Sequence, residues 1–127
     1  INCSKKTYIE NLMLTKKQIR ALALAFPETE ELPHFEKTSF RIARKIFATL
    51  SEKEKIVCFK LSLIDQYVFS AFDKSITYPV PNKWGKQGWT FVKLDKIKKE
   101  MLIDILTTAY CEVAPKRLSI KFQKLAE

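Results

Sequence analysis

The chain has 127 residues, 46% hydrophobic and 29% charged, which describes a folded domain able to bury one core and excludes a low-complexity segment. Its longest unbroken hydrophobic stretch, Ala21 to Phe26, falls far short of the roughly 20 residues a membrane span needs, and no signal-peptide pattern opens the chain. Twenty-three Lys and Arg against fourteen Asp and Glu leave +9, a balance that favours polyanion partners and leans to the second half, with +3 over residues 1–73 and +6 over residues 74–127.

Residues 1–14 mix polar and apolar side chains loosely and read as an N-terminal extension, native or not, with Met13 an alternative start. Residues 15–127 read as one domain. Thr15 and Gln18 fit a capping box, and Ile19, Leu22, Ala23 and Phe26 follow at helical spacing until Pro27 and the acidic stretch Glu28 to Glu31 stop the helix. From about Phe35 to Leu63 the period is two. Phe40 and Ile42 alternate with Arg41 and Ala43; Ile46, Ala48 and Leu50 with Lys45, Phe47 and Thr49; Val57, Phe59 and Leu61 with Ile56, Cys58 and Lys60. Three consecutive strands in an antiparallel meander are expected.

Ser62 and Asp65 match a second capping box, and Ile64, Val68 and Phe72 form the apolar stripe of a short helix over 63–73. Lys74 to Gly88 is rich in breakers, and Trp89 to Leu94 alternates again, with Trp89 assigned to the core. Asp95 is placed to cap a long helix bearing Leu102, Ile105, Leu106, Ala109 and Val113 inward. Pro115 sits where a first-turn proline is tolerated, before a last helix with Leu118, Phe122 and Leu125 inward. The order gives an α+β class, two layers, with helices covering an antiparallel sheet as α-β-β-β-α-β-β-α-α.

The chemistry of catalysis is thin. His34 is the only histidine and, beside Phe35, reads as a packing or surface residue. Cys3, Cys58 and Cys111 are odd in number and widely spaced, so a disulfide framework and a metal cluster are both disfavoured, and buried thiols in a reduced, cytoplasmic setting are expected. Glu30 and Glu31 read as a solvated turn. Phosphate-cradling glycine motifs are missing, and Gly85 with Gly88 has GxxG spacing without the helix–loop–helix setting that an RNA-clamping loop requires. No cofactor, no metal and no catalytic residue are assigned.

A basic, aromatic loop remains, Lys83-Trp84-Gly85-Lys86-Gln87-Gly88-Trp89, whose cations suit phosphates and whose rings suit bases. Arg41, Arg44 and Lys45 cluster at the first strand turn, and Lys116 and Arg117 lead the last helix. Whether these cations share one side of the molecule is a tertiary question.

Thr38-Ser39-Phe40-Arg41-Ile42, Lys45-Ile46-Phe47-Ala48-Thr49-Leu50, Gly88-Trp89-Thr90 with Val92 and Leu94-Asp95, and Ala109-Tyr110 leading to Val113-Ala114-Pro115-Lys116-Arg117-Leu118 together resemble the MmcQ/YjbR family of small bacterial proteins. The resemblance begins with the helix ending at Ala21 to Glu28 and covers about Thr15 to Leu118. It implies a CyaY-like or secretion-chaperone-like α+β fold and a DNA-binding label based on two strand-loop wings. Here those wings would be the turn at Arg44-Lys45 and the loop Lys83 to Gly88, with Lys116 or Arg117 either facing phosphate or exposed. Ala43-Arg44 departs from the family's usual glycine beside the lysine, so a turn needing positive φ would be strained. Two functions stand beside each other at this point: a non-catalytic DNA-binding module using Arg41, Arg44, Lys45, Lys83, Trp84, Lys86, Lys116 and Arg117, and a protein-interaction or chaperone-like module. A small-molecule enzyme ranks third, since it needs a closed pocket with convergent ionisable groups.

Overall fold

A computed structural model describes residues 14–123; Cys3, Lys124 and Leu125 lie outside them. Leu14, assigned above to the extension, is buried in the core at 4% exposure. Thr15 then caps α1 (Lys16–Leu24): its hydroxyl accepts from the Gln18 amide and its own amide donates to Gln18 Oε1, the reciprocal capping box the spacing predicts.

Six strands follow in one antiparallel sheet: β1 (Thr29–His34), β2 (Lys37–Ile42), β3 (Lys45–Ser51), β4 (Ile56–Lys60), β5 (Thr77–Pro79) and β6 (Trp89–Lys93), side by side in the order β1-β2-β3-β4-β6-β5. Between β4 and β5 runs α2 (Leu63–Phe72), and after β6 come α3 (Lys99–Val113) and α4 (Lys116–Gln123). The α+β class and the order of elements are as expected, with one strand more at the start. That strand, β1, is the stretch read above as a polar stop. Glu30 and Glu31 are strand residues, paired to Arg41 and Phe40; on this sheet edge Glu30 is exposed and Glu31, half-buried, accepts from Arg20 Nε of α1 at 2.7 Å. Both edges carry proline, Pro33 in β1 and Pro79 in β5.

Strand alternation turns Phe40, Ile42, Ala48, Leu50, Val57, Phe59 and Val92 to one buried face. Ile19 and Ala23 of α1, Phe69 of α2, Leu102, Ile105, Leu106 and Ala109 of α3, and Leu118 of α4 complete that core, so all four helices meet the sheet on the same side. One bulge changes the expected alternation. Phe40 pairs with Ala48 and Arg41 with Ile46, so Phe47 is the extra residue; it joins Ala48 in the core, and Ile46 turns to the other face. Tyr110 of α3, fully buried, stacks on Phe26 at 4.6 Å and meets Phe47 and Phe122 edge-on, while its hydroxyl donates to the Pro27 carbonyl at 2.9 Å.

One helix end and one helix face differ from expectation. Asp95 does not cap α3: Lys93 to Lys96 form a turn that carries Ile97 into the core, and the helix begins after Lys98 without a side-chain cap. Ser62 does cap α2, accepting from the Asp65 amide at 3.0 Å. Yet the α2 stripe faces outward. Ile64 and Tyr67 are each 77% exposed and Phe72 69%, while Gln66 and Ser70 turn inward. The inner side of α2 meets backbone carbonyls of the segment before β6, which only a donor such as the Gln66 amide can satisfy. No helix among the described residues is long and apolar enough to cross a membrane.

Candidate nucleic-acid interface

Four strand ends and one helix end come together where β2 turns into β3. The turn residues Ala43 and Arg44 both have positive φ, 52° and 68°, the left-handed pair a two-residue hairpin of this hand requires and that L side chains adopt at a cost. The strain anticipated from the missing glycine is therefore present. The turn projects Arg44 and Lys45 beside Arg41 and Ile46; β4 ends here at Lys60, β6 begins here at Trp89, and α3 ends here at Glu112 and Val113. Together they line an open cleft of about 530 Å³ with four cations, one aromatic ring and one carboxylate.

Two of these cations, Arg41 and Lys60, are held in place by hydrogen bonds. The Arg41 Nε donates to Ser39 Oγ at 3.0 Å, and that hydroxyl donates to the Leu32 carbonyl at 2.9 Å, which lays the guanidinium along the sheet. The Lys60 ammonium donates to the carbonyls of Gln87 and Leu61 at 2.8 and 3.2 Å. It keeps one donor for a ligand while tying β4 to the loop before β6.

That loop is a rigid element. Gln66 Nε2 reaches Gly85 O, Trp89 O and Thr90 Oγ1 at 3.0, 3.1 and 3.1 Å, and Thr90 Oγ1 donates to Gly88 O. Both glycines of the chain sit here for steric reasons: a Cβ on Gly85 would lie 1.9 Å from the Val80 carbonyl oxygen, and one on Gly88, whose φ is +104°, 1.8 Å from that of Leu61. The GxxG spacing thus reflects backbone packing. On the outer rim Trp84 is 50% exposed, with the Lys83 ammonium 5.8 Å from its ring centre, and Lys83 and Lys86 line a second open cleft of about 550 Å³ with Gln66 and Asn82.

The expected residues therefore divide. Arg41, Arg44 and Lys45 converge on one cleft; Lys83, Trp84 and Lys86 stand on the neighbouring loop, joined to the first group through Lys60. Lys116 is exposed and lines neither cleft, and Arg117 forms a bidentate ion pair with Glu28 at 2.7 and 2.8 Å. That hydrogen-bonded pair holds the Glu28 carboxyl below its ordinary range and raises the guanidinium, which leaves Arg117 engaged within the fold. Trp89, assigned to the core from its lead position in the strand, is half-buried on the opposite face, because the strand parity that buries Thr90 and Val92 turns Trp89 outward. Lys60 is the cleft residue that motif reading passes over, although its alternation with Val57 and Phe59 already places it on that outer face.

Burial pushes the Cys58 thiol up to about 11, against the opposing Lys37 ammonium, and burial raises Cys111 as well. His34 packs edge-on to Phe35 at the β1–β2 turn, with ring centres 4.9 Å apart. Among the described residues no three His, Cys, Asp or Glu side chains converge as a metal site.

The family model for YjbR matches residues 24–112, which hold all six strands of the sheet, α2 and all but the last residue of α3. The chain belongs to the YjbR family. The fold of this YjbR-family chain is shared with the crystal structure of Deinococcus radiodurans protein DR2400, which carries the family-model domain DUF419: the TM-score is 0.73 at 18% identity, over 91% of this chain and 90% of that one. No curated protein matches the chain in sequence. The YjbR match spans the cleft cations, Trp89 and the glycine loop, and ends at Glu112, before Lys116 and Arg117.

Proposed function

We propose that this YjbR-family chain is a non-catalytic DNA-binding module whose phosphate contacts come from Arg41, Arg44 and Lys45, with Lys60 as a tethered fourth cation and Lys83 and Lys86 on the adjoining loop. The observation that carries this reading is the convergence of four cations, from a turn and two strand ends, on one open cleft beside an aromatic ring. An overall charge of +9 supplies the attraction, and the cleft supplies the place. An open cleft also suits a backbone lying across it better than a small substrate that must be enclosed.

Fluorescence anisotropy against a duplex of about 25 base pairs, at about 50 and about 200 mM salt, tests this reading. Removing a cation that neutralises one phosphate lowers the salt slope by about one unit, so Arg41→Ala with Lys45→Ala is expected to flatten it by about two and Lys83→Ala with Lys86→Ala by up to two. Unchanged affinity and slope in both double variants would overturn the assignment. A second reading, a protein-interaction or chaperone-like module, draws on the outward apolar stripe of α2, where Leu63, Ile64, Tyr67, Val68 and Phe72 are all exposed. Sedimentation of the wild type and of Ile64→Lys/Tyr67→Lys tests whether that stripe self-associates; a monomer in both cases counts against self-docking.

A further inference from the structure

The face of the sheet turned away from the helices has a composition of its own. Strand parity and register place Trp89 and Phe91 of β6 beside Tyr78 of β5, with the Tyr78 and Phe91 rings edge-on at 5.8 Å. Each of the three is half-buried, so each keeps a ring surface open to solvent. Cations bracket them. Arg41 and Lys60 stand at the cleft end, and Lys93 and Lys37 lie toward the other end, the Lys93 ammonium 6.0 Å from the Tyr78 ring centre and the Lys37 ammonium acting on Cys58 at the middle of the face. Glu30 is the one carboxylate on this side of the described strands; it sits on the edge strand opposite Arg41. The helices meet the sheet through its other face, so no helix among the described residues is packed across this one.

We propose that this open face is a stacking platform for single-stranded nucleic acid, with bases on Trp89, Phe91 and Tyr78 and phosphates on Arg41, Lys60, Lys37 and Lys93. The proposal rests on the phosphate-binding reading above and names the form of polyanion that reading leaves open. Charge complementarity sets the class, because cations dominate the face. The rings set the form: they are useful only to bases whose π-faces are open, which paired bases inside a duplex do not offer. A sheet face also lacks the projecting helix or ribbon that enters a major groove. Trp84, by contrast, lies on the rim of the loop, where a strand leaving the platform would pass.

The test compares four labelled probes of about 12 nucleotides, single-stranded DNA, the same sequence as RNA, the same DNA with abasic sites, and the duplex, at about 50 and about 200 mM salt. Single strands are expected to bind at least tenfold tighter than the duplex. Trp89→Leu/Phe91→Leu is expected to lower single-strand affinity tenfold or more while keeping the salt slope, and to bind the normal strand as the wild type binds the abasic one. In a Trp84→Phe background the remaining indole, Trp89, reports stacking by quenching, which needs no change to the platform itself. Equal affinity for abasic and normal strands, with no quenching, would overturn the proposal. Single-strand binding that survives Trp89→Leu/Phe91→Leu unchanged would remove the platform and leave the phosphate reading standing; no binding of any probe at the lower salt would remove both. The DNA and RNA arms separate the two sources of single strand.

Discussion

Ala43 and Arg44 carry an unusual backbone for their side chains. Left-handed conformations at non-glycine residues cost about 1–2 kcal/mol each, and here two adjacent residues bear that cost at the mouth of the cationic cleft. Phe35, 93% exposed and at φ 59°, repeats the pattern at the β1–β2 turn. Ala43→Asn/Arg44→Gly, the pair that suits this hairpin best, is expected to raise stability by about 1–2 kcal/mol in urea unfolding. The same change removes one cleft cation, so the salt slope of DNA binding should fall by about one unit. A less stable variant would show that the turn is not strained. The discomfort is legible in the sequence because glycine is missing where the family has one. The gain set against it is not, because only the fold places Arg44 within reach of Arg41 and Lys60.

Elements read most clearly where local chemistry decides them. The caps at Thr15 and Ser62 mark the starts of α1 and α2, and alternation identifies β2, β3 and β4. Facing is another matter. The Ile64, Val68 and Phe72 stripe defines a side of α2 without saying which way it points, and the deciding contacts join Gln66 to carbonyls 19 and 23 residues away. β1 is hidden in the sequence because its edge position lets Glu30, Glu31 and Pro33 sit in a strand. Trp89 is misplaced by pattern alone because alternation gives two faces and hydrophobicity chooses the wrong one. Gln66→Leu keeps the size of the side chain but leaves the Gly85 and Trp89 carbonyls without their donor. We expect a loss of about 2–3 kcal/mol and faster amide exchange across residues 80–89, read by hydrogen exchange. Protection equal to wild type would show that the loop is held by other contacts.

At the scale of the molecule, Glu28 and Arg117 join the α1–β1 turn to α4 across 89 residues of chain. The Glu28 carboxyl is lowered by that bond, so its contribution is fully present above its ordinary value of 4.5 and is lost as pH falls through the lowered one. Melts of wild type and Glu28→Gln are therefore expected to differ at neutral pH and to converge as the pH falls through that lowered value. A constant gap across that range would mean the ion pair is not what the substitution removes. Both groups are exposed, so added salt should narrow the gap as well. The net charge of the molecule is legible at once, but its distribution is not: among the cations, Arg117 is paired with Glu28 at the surface and Lys60 is partly tied to the loop.

The prolines at the two sheet edges bear on what happens when copies crowd together. A strand of nucleic acid is a line of binding sites, and a protein that occupies it is concentrated with its neighbours side by side. Open sheets brought so close can zip edge to edge into fibres. Pro33 in β1 and the three-residue β5 ending in Pro79 withhold the unbroken row of amides such zipping needs, so copies crowded side by side, as the proposed function would have them, are kept from joining through their sheet edges.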